Sequence, residues 1–218
     1  MYARLKKKLQ NLIRRGRGAG PLLACSLAAA CGLACMAGAA AANASEAASA
    51  RYAAAPFQLD KDVIPQNAQS SAAELARNAD CIVVGSFEEA DRMVPTASRV
   101  PQGRLVNFVQ RLKVREWIKG SAQNQITVVT TGIEPLPPPS QLEANERYPG
   151  AWAADLDYLL FLRKLEGTED YAPLGLLQGV YPIQGGRTVS LEGKGFPQLN
   201  GLEPSGLKNS VNGLIGGR

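Results

Sequence analysis

From Tyr158 to Leu162 the sequence reads Tyr-Leu-Leu-Phe-Leu, apolar at every position. Side chains of a strand alternate between the two faces of a sheet, so a run of this kind needs cover on both sides. It belongs at the centre of a sheet, with Leu160 and Phe161 buried on opposite faces. Cys81 to Phe87 is likewise apolar on both faces, with Gly85 where a bulge or a tight corner fits. Leu105 to Ile118 alternates instead: Val106, Phe108, Leu112 and Val114 share one face, and Asn107, Arg111, Lys113 and Arg115 share the other. Gln110 interrupts the apolar face. Ile126 to Thr131 is rich in β-branched residues and makes a third strand, antiparallel to the second across Lys119-Gly120-Ser121.

Later segments fit the same pattern. Tyr171 to Leu177 reads as a strand, and Val180 to Ile183 and Arg187 to Leu191 are joined through Gln184-Gly185-Gly186. The two glycines permit the positive φ angles of a tight hairpin. Pro182 lacks an amide donor, which assigns its strand to an edge or a bulge. Residues 88 to 103, charged and holding Pro95 and Pro101, read as a solvated loop. Residues 132 to 154 hold Pro135, Pro137-Pro138-Pro139 and Tyr148-Pro149-Gly150, too much proline and too much length for a filler connection.

Helices are short. Ser71-Ala72-Ala73-Glu74 is a capping box opening about two turns toward Asn78. Ser205 to Ile215 carries Leu207, Val211 and Leu214 on one side. The layout is a lead-in at 45–70 that is flexible or loosely ordered, a β domain at 71–195, and a C-terminal tail at 196–218 with room for a short helix.

The first 44 residues are of another kind. Seven of the 24 basic residues (Arg4, Lys6, Lys7, Lys8, Arg14, Arg15 and Arg17) lie in the first seventeen positions, where there is no acid. Ala19 to Ala44 follows, mostly Ala, Leu, Cys and Gly, and closes on Ala42-Asn43-Ala44, whose small alternate side chains suit a signal peptidase. Residues 1–44 read as an export signal; an uncleaved anchor at 19–44 and lipidation at Cys25 are the alternatives. Without those seven charges, 17 basic residues face 19 acidic ones, a net of about −2. The basic character of the whole chain is therefore local and gives no ground for nucleic-acid binding.

Cleavage after Ala44 would leave Cys81 as the one cysteine, so the domain must hold by its core and not by disulfides. Cys81 opens an apolar strand with no activating partner in sequence, which reads as a buried core residue. The chain has no histidine. Ser-His-Asp and Cys-His catalysis and imidazole zinc sites are excluded with it.

Three short motifs carry a resemblance. Ala79-Asp80-Cys81-Ile82-Val83-Val84-Gly85 after a short helix, Val114-Arg115-Glu116-Trp117-Ile118-Lys119-Gly120 ending the long strand, and Tyr158-Leu159-Leu160-Phe161-Leu162 resemble a group of secreted bacterial proteins. In the same order they resemble the inhibitory domain of the tissue inhibitors of metalloproteinases. The resemblance covers about residues 72–191. It implies a mainly β fold, a five-stranded or slightly elaborated OB-like antiparallel barrel with short flanking helices. In those inhibitors a cysteine at the mature N-terminus offers its amine and carbonyl oxygen to the protease zinc. Here the mature start falls at Ser45, well before the capping box at Ser71, and no inhibitory residue is matched.

Two function classes fit these residues. The first is an exported extracytoplasmic binding or interaction module, whose partner is an envelope or extracellular protein or an anionic polymer. Its contact surface would include Tyr148 and Trp152, bordering the Pro-rich loop, and the stripe of Arg111, Lys113 and Arg115; Trp152 also reads as a residue that pins the loop to the barrel. The same stripe also reads as the solvated outer face of a barrel strand, and no aromatic interleaves with it for base stacking. The second is a small envelope hydrolase or metal-dependent enzyme using Asp155 and Asp157, two apart and on one face if both lie in a strand, with Glu134 or Glu146. No catalytic, metal or cofactor residue is assigned from the sequence, and a membrane is contacted only through the N-terminal segment if it is kept. Phe87, Phe108, Trp117, Tyr158 and Phe161 are expected to fill the core.

Overall fold

Short helices pack on one continuous sheet in the computed structural model, which describes residues 55–120 and 122–216. The export signal, its anchor and lipid alternatives, and the first part of the lead-in lie outside the described residues. The elements in chain order are α1 (Ala72–Asn78), β1 (Cys81–Val100), β2 (Gly103–Lys119), β3 (Gln125–Glu134), α2 (Leu142–Arg147), β4 (Asp157–Lys164), β5 (Tyr171–Pro173), β6 (Val180–Gln184), β7 (Arg187–Thr188) and α3 (Leu207–Gly216). The chain is mainly β. None of the described helices is long and apolar enough to cross a membrane.

The seven strands are ordered β1-β2-β3-β5-β4-β6-β7, and β1 also pairs with β4. Five strands therefore form a ring, β1-β2-β3-β5-β4 and back to β1. The ring is closed on one side by six antiparallel pairs from Cys81↔Leu162 to Ser86↔Asp157. On the other it is closed by a single parallel pair, Val128↔Tyr171. As its composition requires, β4 is central, with β1 along one edge and β5 and β6 along the other.

Alternation along the strands divides the core. Val83, Phe87, Leu112, Ile126, Val128, Tyr158, Leu160 and Leu162 pack together inside the ring. Ile82, Val84, Leu159, Phe161 and Tyr181 face out and are covered by Leu75 and Ala76 of α1 and Leu207 and Val211 of α3. Leu160 and Phe161 are both fully buried, one in each cluster. A third cluster lies on the outer side of β2 and β3, where Val109 and Val129 meet Ile64.

Local chemistry fixes the details. Ser71 caps α1 by accepting the Glu74 amide at 3.1 Å, while the Glu74 carboxylate takes the amide of Ser70, one residue outside the reciprocal box. Gly85 sits at a register shift between β1 and β2, and a Cβ there would meet the Lys113 carbonyl oxygen at 2.3 Å. Only glycine admits so close an approach. At the β6–β7 turn Gly185 and Gly186 have φ of 57° and 75°.

Several segments differ from the sequence reading. Residues 88–103 are not a loop: β1 runs to Val100 and pairs with β2 as far as Val100↔Gly103. Register shifts between Phe87 and Arg99 absorb the charged residues and Pro95 that make the segment look irregular. Pairing with β4 stops at Ser86, so beyond it β1 has one unpaired edge, where proline is tolerated. Tyr171 to Leu177 is a strand only to Pro173, and a 3-10 turn takes over at Leu176.

Pro182 is on neither an edge strand nor a bulge, because β6 is flanked by β4 and β7. Its carbonyl accepts from Val189, so its amide-less side faces the point where the two-residue β7 has ended. Residues 55–70 are attached to the sheet, with Ile64 only 2% exposed, and the tail supplies Leu199, Leu207 and Val211 to the core. Phe108 and Trp117 are half-buried instead of interior.

The double burial of β4 sets a test of the ring. Leu160→Ala and Phe161→Ala should each destabilise the domain by roughly 2–5 kcal/mol in denaturant titrations. A silent result for either would mean that one face of β4 is not under load.

Candidate functional site

The basic stripe of β2 is paired with acids. Arg111 Nε lies 3.1 Å from Glu88 and 2.9 Å from Asp91, Lys113 Nζ lies 2.9 Å from Glu88, and Arg115 binds Asp157. The hydrogen bond from Lys113 holds the Glu88 carboxyl below the ordinary range, with the charges of Lys113 and Arg111 adding to it. All three cations are exposed, so water screens these ion pairs and they add little to stability. The stripe is thus a balanced ionic surface. A polyanion would have to compete with Glu88, Asp91 and Asp157 for it.

Trp152 is not a surface anchor, being 6% exposed and packed inside the ring edge-on to Tyr158 at 6.3 Å between ring centroids. Gln110, the residue that breaks the apolar face of β2, explains how it is held. Its Oε1 accepts the Trp152 amide at 2.7 Å, and its Nε2 donates to the carbonyls of Trp152 and Glu88 at 3.0 and 3.1 Å. One buried amide side chain therefore ties the far end of the Pro-rich loop to the point where β1 leaves β4. Tyr148 is half-buried, with the Arg147 guanidinium 5.6 Å from its ring centroid.

The carboxylates do not converge. Asp155 stands in a turn before β4 with φ of 66°, and Asp157 is in the strand bound to Arg115, so the same-face pair expected from their spacing does not form. Glu146 pairs with Lys194 at 3.2 Å. No group of three or more Cys, Asp or Glu among the described residues is arranged to hold a metal ion.

The motifs behind the resemblance are structural fasteners. Lys119 Nζ donates to the carbonyls of Ala76, Arg77 and Ala79 at 3.2, 2.7 and 2.6 Å, capping the C-terminal end of α1 with a charge of favourable sign. Gly120, at φ of 104°, leaves no room for a side chain beside Cys81. Asp80 accepts the Lys164 amide at 2.7 Å and donates its own amide to Leu162. Cys81 is buried beneath these contacts, and desolvation, with the Asp80 charge adding to it, pushes its thiol up to about 12. Such a thiol is inert at neutral pH.

The surface that sequence reasoning missed lies elsewhere in the Pro-rich loop. Leu136 and Leu142 are 42% and 44% exposed, on a segment braced from within: the Pro138 carbonyl accepts both the Gln141 amide at 2.9 Å and the Asn145 side chain at 3.1 Å. The proline run marked the loop as more than a filler connection, but nothing in the pattern distinguished these leucines from core residues. No protein-family model matches the chain, and no curated protein matches it in sequence.

Two outcomes follow from this geometry. Gln110→Ala strands the Trp152 amide and two carbonyls, and should lower stability by roughly 2–3 kcal/mol and shift the tryptophan fluorescence. For Cys81, the unfolded thiol titrates near 8.5 and the folded one near 12, so the contribution is intact below pH 8.5 and is lost as pH rises toward 12. Over that window Cys81→Val should remove up to roughly 1.4 kcal/mol per pH unit from the slope of stability. An unchanged alkaline slope, or rapid alkylation of the native protein at neutral pH, would show the thiol to be accessible.

Proposed function

We propose that this chain is an exported, extracytoplasmic binding or interaction module whose contact surface is the Pro-rich loop between β3 and β4. The observation that carries the reading is the exposure of Leu136 and Leu142 on a segment closed on itself by two hydrogen bonds to the Pro138 carbonyl. Large apolar side chains presented on a stiff support contribute to binding without the cost of ordering a loop. Export rests on the basic start, the apolar stretch and Ala42-Asn43-Ala44.

The scaffold is proposed to be an OB-type barrel related to the inhibitory domain of the tissue inhibitors of metalloproteinases. The five-strand ring, with its parallel β3–β5 contact, and a helix between β3 and β4 support that assignment. The kinship proposed is one of fold. Inhibition through a mature N-terminal cysteine is no part of it, because the chain has no such residue near Ser45.

The test is capture from an envelope fraction on the immobilised exported chain. Leu136→Ser with Leu142→Ser should leave the melting behaviour within about 0.5 kcal/mol of the parent, as exposed substitutions do. Retention of the captured protein should fall at least about tenfold. Unaltered capture would remove the loop from the contact surface. The intact mass of the exported protein should correspond to a start near Ser45; retention of residues 1–44 would mean an anchored protein, and a diacylglyceryl mass on Cys25 a lipoprotein.

A further inference from the structure

Between Phe57 and Gln66 the chain crosses the outer side of β2 and β3 without joining the sheet as a strand. Its hydrogen bonds to that face use main-chain atoms of the crossing segment. Asn107, fully buried, donates from Nδ2 to the Leu59 carbonyl at 2.9 Å and to the Asp62 carbonyl at 2.7 Å. Its Oδ1 accepts the Thr131 hydroxyl at 2.7 Å, and Thr131 Oγ1 accepts the Ile64 amide at 3.0 Å. Residues 58–62 form a turn, in which the Gln58 carbonyl accepts the Lys61 and Asp62 amides at 3.1 and 2.8 Å, so any segment making this turn would satisfy Asn107 and Thr131 equally well through main-chain atoms alone.

One side chain is read closely. Ile64 sits in a pocket with Val109, Val129, Leu165, Ala172 and Leu176, while Phe57 and Leu59 lie half-buried at its border. The sheet beneath does not need the strap to be complete. Pairing of β2 with β3 is unbroken from Arg104↔Glu134 to Lys113↔Gln125. A finished surface, two buried polar side chains addressed to backbone atoms and one apolar pocket are the parts of a site that binds a peptide turn and the residues after it: main-chain bonds supply affinity and the pocket supplies selection.

We propose that the face bearing Asn107, Val109, Val129 and Thr131 is a peptide-binding groove, closed in this chain by residues 57–64. Its ligand in trans is a segment of a partner protein that makes the same turn and carries a β-branched aliphatic residue in the place of Ile64, and it enters by displacing the strap. Occupation in cis lowers the apparent affinity for that segment in proportion to the fraction of time the groove is open. The groove is tested through Ile64 and Asn107 and the Pro-rich loop through Leu136 and Leu142, so either reading can fail its test while the other stands.

A fluorescein-labelled synthetic peptide of residues 55–67 is titrated into the exported chain and followed by anisotropy. Ile64→Ser in the chain weakens the strap and should tighten binding of the peptide at least about tenfold over the parent chain. Adding Asn107→Leu to that variant should abolish the gain, and a peptide carrying the same Ile64→Ser change should not bind. Equal affinity of the parent and Ile64→Ser chains, or full binding after Asn107→Leu, overturns the proposal. Should Ile64→Ser lose its near-ultraviolet dichroism, hydrogen exchange of the parent chain decides. The Ile64 amide should exchange at least about a hundredfold faster than that of Leu160, through opening of the strap alone. Exchange as slow as that of Leu160 would make the strap a fixed part of the fold and overturn the groove.

Discussion

Six residue pairs between β1 and β4 hold the ring together, and much of the architecture is arranged around them. They place two strands, each apolar on both faces, side by side, which creates two apolar surfaces that must both be covered. The inner surface is covered by the rest of the ring, and the outer one by α1 and α3. The fasteners gather at the same seam: Asp80 to Lys164, Lys119 to the end of α1, Gly120 against Cys81. Where the six pairs end, β1 departs with β2 alone, and the opening it leaves is filled by Trp152, held by Gln110. A buried amide at that point replaces the strand-to-strand bonds that β1 and β4 no longer exchange.

The sequence declared the parts of this arrangement whose physics is local. A run apolar on both faces has one stable environment, so the central position of β4 was legible, as were the helix cap at Ser71, the glycine turn at Gly185 and Gly186 and the bulge at Gly85. Features set by distant partners were not. Residues 88–103 look like a loop because their charges and Pro95 break the alternation, yet β2 supplies a template that tolerates bulges. The strap at 55–70 contains few large apolar residues, and its attachment depends on Asn107 and Thr131, which could not be connected to it by any spacing rule. Gln110 read as an interruption because its partners are main-chain atoms of residues far along the chain.

The candidate contact residues divide in the same way. Arg111, Lys113 and Arg115 were correctly placed on an outer face, but alternation within one strand says nothing about Glu88, Asp91 and Asp157 across from it. Trp152 was visible as a large aromatic beside prolines, and only packing against Tyr158 decides that it pins the loop from within. Motifs that carry a family resemblance can serve the scaffold alone. Here Asp80, Lys119 and Gly120 join helix to sheet, and a neighbour keeping them would share this seam without sharing any ligand.

The wide separation in sequence of the strands that close the ring also governs the order of events in folding. The hairpin of β1 with β2, and that of β2 with β3, bring together nearby residues and can form on the microsecond scale. Cys81 to Ser86, however, cannot acquire their second neighbour until synthesis has passed Leu162. Until then the doubly apolar start of β1 stands uncovered, and high contact order makes its meeting with β4 a slow step. A nascent chain that ends short of Leu162 thus lacks the seam, and the start of β1 is left with one apolar edge and both faces open to a chaperone or a protease.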